Sequence, residues 1–191
     1  MSWVSAFKLV ARNDRFFHRR LPLLPRGVST GAFKGEVSGT LNSLGPVEGA
    51  YATCEHTFTQ AAVNNFAAIC GDNNPLHIDP EFASTSMFGG PIVHGILVSS
   101  LFSTLFGRSL HGSIYVSQTL KFRAPVHVGA PLSARIEVLK KERSRKGHLL
   151  TCSTTVTTLS GGGGESSGGT TTLAVTGEAV CLLPFDAYPE E

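Results

Sequence analysis

The sequence predicts an α+β domain in which a curved antiparallel sheet wraps around one buried central helix. One observation is the segment "PIVHGILVSSLFSTLFG", residues 91–107, whose apolar side chains leave almost no polar face, as in a helix buried on all sides. The other is the series of strand-like runs that follows it, separated by Gly, Pro or charged turns. A chain of 191 residues accommodates one such domain with its own core.

The first 30 residues combine basic groups, serines and large apolar side chains. Six Lys or Arg and one acid contribute +5 to a formal net charge of +2, so the remaining chain carries −3. This composition is typical of a mitochondrial transit peptide, whereas a secretory signal needs an uninterrupted apolar stretch and a small-residue cleavage site. The alternative is a disordered basic arm that binds nucleic acid. We expect residues 1–30 to direct the chain to the mitochondrial matrix and residues 31–50, rich in Gly, Ser, Thr and Asn, to be a linker.

A first helix is predicted over residues 58–70, because apolar side chains recur there at steps of three and four, namely at Val63, Phe66, Ala67 and Cys70. Thr59 is placed to cap its start and Gly71 to end it. The central helix is expected to end at Gly107. Both helices precede most of the predicted strands.

Four strand-like runs follow, over residues 113–126, 131–140, 148–159 and 172–184, and we expect them to form an antiparallel meander. The run "SGGGGESSGG", residues 160–169, predicts a flexible hairpin loop. A phosphate-binding loop is the other interpretation of a glycine run, but it requires a following helix or a lysine, and a Thr-rich strand follows here. A sheet around one buried helix is the hotdog arrangement, which we predict for residues 51–187.

The four cysteines are scattered and include no close pair of the kind that forms a zinc knuckle or a redox couple. We therefore expect reduced thiols in a reducing compartment. No segment has the roughly 20 continuous apolar residues of a spanning helix, so we expect a soluble protein without a membrane partner.

Residues 69–80, "ICGDNNPLHIDP", place an acid and a histidine in one short loop after the first helix. General acid–base catalysis needs one group that removes a proton and another that donates one, and Asp72 and His77 can supply both. The alternatives are an Asx-turn aspartate and an ordinary loop histidine. Asn74 is a candidate substrate-binding residue that we expect mainly to fix the loop, on a backbone stiffened by Pro75.

The motif "PIVHG", residues 91–95, precedes the central helix, where the first backbone N–H groups lack partners. We predict that the Gly95 N–H stabilises negative charge that develops on a bound ligand, with no side chain to block the approach. Ser100 is a further candidate that could bond the acid–base pair, and the alternative is a bond to its own helix backbone. His94 is expected to be structural.

The segments "CGDNNPLHIDPEFA" and "FGGPIVHGILVSSLFS" resemble the MaoC-like hotdog hydratases and dehydratases, the (R)-specific enoyl thioester hydratase group. "KFRAPVHVGAPL" also resembles the strand and turn that follow the central helix in that family, and the resemblance extends over about residues 58–184. It implies a cofactor-free hydro-lyase that acts on acyl-CoA or acyl carrier protein thioesters, with Asp72 and His77 as the catalytic pair. On that basis we assign water activation to His77 and protonation of C2 to Asp72, although a coupled pair can exchange these roles. The Gly95 N–H would then stabilise the thioester oxygen. With the transit peptide, the resemblance implies the dehydration step of mitochondrial fatty acid synthesis. Unpaired edge strands and the resemblance both indicate a homodimer with the acyl pocket near the subunit boundary.

Three other functions remain to be weighed. A hotdog thioesterase would not require the two motifs, a noncatalytic acyl-binding subunit would not require an intact Asp72 and His77, and the −3 balance beyond the first 30 residues disfavours a nucleic-acid binder. Asp72, His77 and Asp79 would make a poor closed metal site, so no metal is predicted. The basic run "KKERSRK", residues 140–146, is expected to be a solvated hairpin tip. Its alternative, together with Arg108, Lys121 and Arg123, is a binding patch for coenzyme A phosphates or an acidic carrier protein.

Overall fold

Seven strands and four helices make up the part of the chain that the computed structural model describes, which is residues 33, 35–41, 45–159 and 171–188. In chain order they are β1 (Val37–Ser38), β2 (Tyr51–Thr57), α1 (Gln60–Cys70), α2 (Pro75–Ile78), α3 (Pro80–Thr85), α4 (Gly95–Ser109), β3 (Ile114–Gln118), β4 (Lys121–Phe122), β5 (Pro131–Ser144), β6 (Gly147–Leu159) and β7 (Thr171–Pro184). The predicted transit peptide and the Gly/Ser-rich loop at residues 160–169 lie outside the described residues.

One antiparallel sheet has the strand order β1-β2-β5-β6-β7-β3, with β4 also paired to β7. The β5–β6–β7 portion is the predicted meander. β3 departs from it, because β3 precedes β5 in the sequence but pairs with the far edge of β7. Register shifts in the β5–β6, β6–β7 and β3–β7 pairings mark bulges, which bend and twist strands. The result is the curved hotdog sheet that the sequence predicts.

The core lies between α4 and one face of this sheet. Val98, Leu101, Phe102, Leu105 and Phe106 of α4 are buried, at the spacing of one helical face. The sheet contributes the alternating apolar residues of its long strands, including Leu132, Ala134, Ile136 and Val138 of β5. Burial of an aromatic side chain such as Phe102 stabilises the fold by about 1.5–3 kcal/mol relative to leaving it exposed.

Two expectations for the central helix are wrong. The helix is not buried all round, because Ile96 is 57% exposed and Ser100 and Ser103 also face outward in the single chain. It does not end at Gly107 either, since it continues to Ser109 and the N–H of Leu110 bonds to the carbonyl of Phe106 at 2.8 Å. A glycine inside a helix costs only about 1 kcal/mol, which packing of the buried face readily offsets.

Part of the segment expected to be a linker belongs to the domain. Val37 and Ser38 form β1 and pair with β2, while Leu41 is only 2% exposed within the core. The Gly- and Ser-rich composition concealed these apolar positions. β2 was not predicted either, although Ala52 and Cys54 alternate with outward residues and are buried.

The thiols of Cys54, Cys152 and Cys181 are free and buried in strands, whereas Cys70 is free and exposed at the end of α1. Burial raises the pKa of Cys54 to about 11, and it raises the pKa of Cys152 to about 12. Burial, with a smaller contribution from neighbouring Cys152, also raises the pKa of Cys181 to about 12. These three cysteines act as small apolar core residues. Among the described helices, none has the length and apolar character needed to cross a membrane.

Candidate active site

The candidate active site begins where α1 ends. As predicted, the Thr59 side chain caps the helix start by accepting from the N–H of Ala62. Gly71 ends the helix with a left-handed φ of 79°, a conformation that a residue with a Cβ adopts at a cost. The chain then turns sharply toward the start of α4.

Asp72 and Asn74 hold the turn that follows. The Asp72 carboxylate oxygen Oδ1 accepts from the Asn74 N–H at 3.2 Å, and Asn74 Oδ1 in turn accepts from the Leu76 N–H at 3.1 Å. Asn74 is therefore the N-cap of α2, with Pro75 at the first helical position. Its predicted loop-fixing role agrees with this geometry. His77, expected on the loop, lies instead on this single-turn helix.

The ring of His77 is oriented by the main chain. Its Nδ1 lies 2.7 Å from the carbonyl oxygen of Ile92, and because a carbonyl only accepts, Nδ1 must donate. In the neutral ring the lone pair is then on Nε2. The His77 carbonyl accepts from Gln60 Nε2 at 2.8 Å, which ties α2 to α1. His77 is thus held as a base with a defined free nitrogen.

The Asp72 side chain is 55% exposed, and its Oδ2 lies 3.9 Å from His94 Nε2. One carboxylate oxygen of Asp72 and one ring nitrogen each of His77 and His94 all lie within 4.8 Å of one another. The structure therefore brings the predicted acid–base pair together and adds a histidine to it. Among the described contacts, Asp72 and His77 form no direct ion pair or hydrogen bond, so a proton would pass between them through one water.

A cleft of about 360 Å³ opens beside His77. Gly95 and Ile96 of α4 border it, and so does Phe122 of β4. Most of its other lining residues are apolar, among them Phe88, Ile92, Val93, Val98, Val126 and Val175. An apolar cleft with a few polar groups at one end suits a ligand with a hydrocarbon chain and a reactive head.

Gly95 starts α4 at the wall of this cleft. No side chain caps the helix, and its first internal bond runs from the Val98 N–H to the His94 carbonyl at 3.0 Å. The N–H groups of the first turn therefore lack helical partners, and the helix dipole is positive there. A Cβ at Gly95 would lie 2.6 Å from Cε1 of Phe122, so the aromatic ring fills the space that a side chain would need.

Two predicted binding residues do not reach the cleft. Asn74 is exposed and absent from the cleft lining, and Ser100 is exposed on α4 with its hydroxyl donating to the Leu97 carbonyl at 2.6 Å. The serine thus makes the back-bond to its own helix that was the alternative interpretation. Neither residue lines the space beside His77 in the single chain. Asp72 is also absent from that lining, although its carboxylate lies within 4.8 Å of a His77 ring nitrogen.

The predicted basic groups separate into different places. Arg123 borders the cleft, whereas Arg108 lies over the ring of Phe33 and donates to the Gly35 carbonyl at 3.1 Å. Residues 140–146 form the end of the β5–β6 hairpin, where Lys140 pairs with Glu142 at 2.8 Å. The hairpin residues are absent from the cleft lining.

Comparison with known proteins decides the family. Residues 44–159 match the family model described as "MaoC like domain". An (R)-specific enoyl-CoA hydratase of Aeromonas caviae is 44% identical over 138 residues, which cover 71% of this chain and 94% of that protein. A mitochondrial 3-hydroxyacyl-[acyl-carrier-protein] dehydratase of Arabidopsis thaliana is 29% identical over 163 residues, covering 85% and 90% of the two chains. The solved structure of the A. caviae (R)-hydratase superposes with a TM-score of 0.63 at 44% identity, covering 74% of this chain and 100% of that one.

This chain belongs to the MaoC-like family. It is, like these relatives, an enzyme of the hydro-lyase class. The resemblance that the sequence motifs predicted is therefore confirmed, as is the hotdog fold of the MaoC-like domain.

The donor set of the MaoC-like site, Asp72, His77 and His94, is the one group within the described residues whose spacing could suit a metal ion. It differs from the trio weighed in the sequence, since His94 replaces Asp79. The rings of His77 and His94 face each other with centroids 3.8 Å apart and planes 31° apart. An ion must lie near the plane of each imidazole that binds it, so stacked rings fit a shared ion poorly.

Two residues of the site make contacts that the sequence does not predict. His94, interpreted as structural, contacts both Asp72 and His77, and Phe122, which was not considered, covers Gly95. The signal for His94 was its place in "PIVHG", directly before the helix start. Nothing local in the sequence signals Phe122, because only the sheet topology brings β4 to the start of α4.

Proposed function

We propose that this protein interconverts (R)-3-hydroxyacyl and trans-2-enoyl thioesters, and that it performs the dehydration step of mitochondrial fatty acid synthesis. The observation that carries the proposal is the placement of His77, with its free Nε2, at an apolar cleft beside Gly95 and within reach of Asp72. The relatives named for (R)-specific hydration and for acyl carrier protein dehydration support the substrate class.

In the hydration direction, His77 removes a proton from water as the oxygen adds to C3 of the enoyl thioester. The Ile92 carbonyl holds Nδ1–H and so directs the basic Nε2 away from the main chain. The imidazolium that forms keeps its hydrogen bond to Ile92. His77 is thus the base in hydration and the acid that releases water in dehydration.

Addition at C3 moves electrons toward the thioester oxygen, and protonation of C2 completes the reaction. The N–H groups at the start of α4 stabilise the oxygen, since they have no helical partners and lie at the positive end of the dipole. Asp72 delivers the proton to C2. The pair must enter the cycle with one proton on Asp72, and transfer of the proton from His77 to Asp72 then restores the starting state.

The direct test follows the absorbance of a short trans-2-enoyl-CoA, which falls as water adds across the double bond. Purified wild-type protein should consume the conjugate and form the (R)-3-hydroxyacyl product, as judged by chiral analysis. Release of free thiol without loss of the double bond would instead identify a thioesterase and refute the proposal.

The carrier of the acyl group would bind where cations border the cleft. Arg123 lines it and Lys121 lies two residues earlier, and among the described ion pairs neither side chain has a carboxylate partner. Unpaired cations suit the phosphates of coenzyme A or of a carrier-protein prosthetic group. Replacing both by Gln should raise KM at least several-fold and flatten its salt dependence, whereas Lys141→Gln on the hairpin should not.

The mitochondrial assignment rests on residues 1–30 and on relatives of Arabidopsis thaliana and Solanum lycopersicum whose names include "mitochondrial". A chain lacking residues 1–30 should keep its activity and lose import into isolated mitochondria. Import of the truncated chain at the full-length rate would contradict the targeting proposal.

We extend the proposal to a homodimer through the edge of the sheet. β3 pairs with β7 on one side, and Tyr115 and Val116 on this edge strand are exposed in the single chain. Pairing of two edges would satisfy the open backbone groups and cover apolar side chains. Specific activity should fall as the protein is diluted through its dimer dissociation range. A fully active monomer in sedimentation at assay concentration would reject the dimer.

A further inference from the structure

His94 lies at the junction of the two halves of the site. Its side chain is only 3% exposed, and its ring stacks on that of His77 with centroids 3.8 Å apart. Nε2 of His94 lies 3.0 Å from the backbone carbonyl oxygen of Asp72. Its main chain is the N-cap of α4, directly before Gly95.

We propose that His94 is a positioning residue, which rests on the proposed function because it acts through Asp72 and His77. It sets the distance between this acid–base pair and the N–H groups at the start of α4. The ring of His94 is buried, whereas the Asp72 side chain is 55% exposed, so His94 acts through the two residues that it contacts.

The hydrogen bonds of His94 show that stability alone does not explain an imidazole here. The Asp72 carbonyl only accepts, so Nε2 donates, and in the neutral ring the lone pair is on Nδ1. That Nδ1 is buried without a hydrogen-bond partner among the described residues. Leaving a buried polar atom without a partner is destabilising, and an apolar side chain of similar volume would avoid this cost.

What the imidazole supplies is a donor and a flat face in one rigid side chain. The donor fixes the backbone of Asp72 and therefore the origin of the carboxylate. The flat face restricts rotation of the His77 ring, whose Nδ1 is already bound to Ile92. Two contacts on different sides thus define where Nε2 of His77 points.

The main chain of His94 links this arrangement to the oxyanion donors. Its carbonyl accepts the first internal bond of α4, from Val98 at 3.0 Å. Any movement of the ring relative to the helix start would change the separation of His77 and Gly95. Displacements of about 1 Å at an active site can cost about 100-fold in rate.

The test compares two polar variants that differ in reach. In His94→Gln the amide nitrogen can occupy the place of Nε2, whereas in His94→Asn it occupies the place of Nδ1 and falls about 2 Å short of the Asp72 carbonyl. His94→Asn should lower kcat for hydration by about 10- to 100-fold and change KM by less than about 3-fold. His94→Gln should recover kcat to within about 5-fold of wild type.

Leu105→Ala is the stability control, because Leu105 is fully buried in α4 and does not line the cleft. This variant should lower the thermal midpoint without changing kcat of the folded enzyme. Wild-type kcat in His94→Asn, or equal losses in both His94 variants that follow the thermal midpoint, would overturn the positioning role. Active wild-type enzyme that loses turnover in Asp72→Asn, with His94→Asn unaffected, would overturn this inference and leave the proposed function standing. Absence of hydratase activity in the wild-type protein would refute both the positioning role and the proposed function.

Discussion

The sheet with α4 and the segment from residue 72 to residue 94 are held in place by different forces. Leu132, Ile136, Leu150 and Leu183 of the sheet are almost fully buried and alternate with outward residues. By contrast, α2 has no buried residue and α3 has only Ala83.

Hydrogen-bonded caps replace hydrophobic burial in the second region. Asn74 caps α2, and Asp79 caps α3 by accepting from the N–H groups of Glu81 and Phe82 at 3.0 Å. Each cap contributes about 1 kcal/mol, less than the roughly 1.5–3 kcal/mol of a buried core side chain. Most of the stabilising burial therefore lies in the sheet and α4, whereas the reactive side chains lie in residues 72–94. Mutations in the first region should mainly change stability, and mutations in the second should mainly change activity.

The largest effect should come from the acid–base pair. Asp72→Asn and His77→Ala should each reduce hydration by about 10²–10⁴-fold, because each removes a proton-transfer group, and the double variant should be little worse than either. Glu81→Gln, an exposed acid on the neighbouring α3, is the matched control and should keep full activity. Near-normal turnover in either single variant, with an unchanged circular dichroism spectrum, would disprove the pair.

A core substitution should show the opposite behaviour. Leu105 of α4 is fully buried and does not line the cleft, so Leu105→Ala should lower the free energy of unfolding by about 2–5 kcal/mol. Urea titration measures this loss, and kcat per folded molecule below the transition should stay near wild type. Leu139→Ala, at a half-exposed position, should change stability by less than about 0.5 kcal/mol. A loss of kcat in Leu105→Ala without a loss of stability would contradict the assignment of this residue to stability alone.

Gly95 is the point where the two regions meet, and its replacement should have an intermediate effect. In Gly95→Ala the new Cβ would lie 2.6 Å from the Phe122 ring, so the ring must move into the cleft. We expect kcat/KM to fall about 10- to 100-fold. A double-mutant cycle with Phe122→Ala tests whether displacement of the ring causes the loss. If it does, Gly95→Ala should reduce kcat/KM less in the Phe122→Ala background than in wild type. Additive losses would show that the methyl group blocks the N–H itself.

The sequence predicts the features that depend on local signals and misses those that depend on tertiary contacts. Helix caps, Gly71 and strand alternation are local signals, so Thr59, α1, β6 and β7 follow from them. Asp72 and His77 were proposed as a pair because acid–base chemistry needs those residue types close together, and the structure places them near each other. The contacts of His94 with the pair, the Phe122 ring over Gly95 and the place of β3 beside β7 depend on the tertiary arrangement. No local pattern encodes them.

Thiol reactivity should differ between the sheet and the end of α1, without a large effect on activity. Cys70 is exposed, whereas the pKa values of Cys152 and Cys181 are raised to about 12 by burial, so alkylation of folded protein at pH 8 should modify Cys70 alone.

The same two buried thiols should make stability depend on pH. In the unfolded chain they titrate near 9.0, so the folded state binds more protons above that pH. The stabilisation is thus complete below about pH 9 and is lost as the pH rises toward 12. Mass spectrometry of alkylated peptides, and urea titrations at pH 8 and 10, test both statements. Rapid labelling of Cys152 at pH 8 would show that the sheet opens readily.

The smallest effect should come from shortening the chain between β6 and β7. Leu159 and Thr171 are paired across the two strands, so the hairpin is already closed where the described residues end. Closure entropy changes by only about 0.6 kcal/mol for each doubling of loop length. Deletion of residues 161–168 should therefore leave kcat unchanged and shift the free energy of unfolding by less than about 1 kcal/mol. Activity assays and urea titration of the deletion variant against wild type measure both quantities. A loss of several kcal/mol would mean that these residues contribute packing of their own, and the stability assigned to the sheet would have to include them.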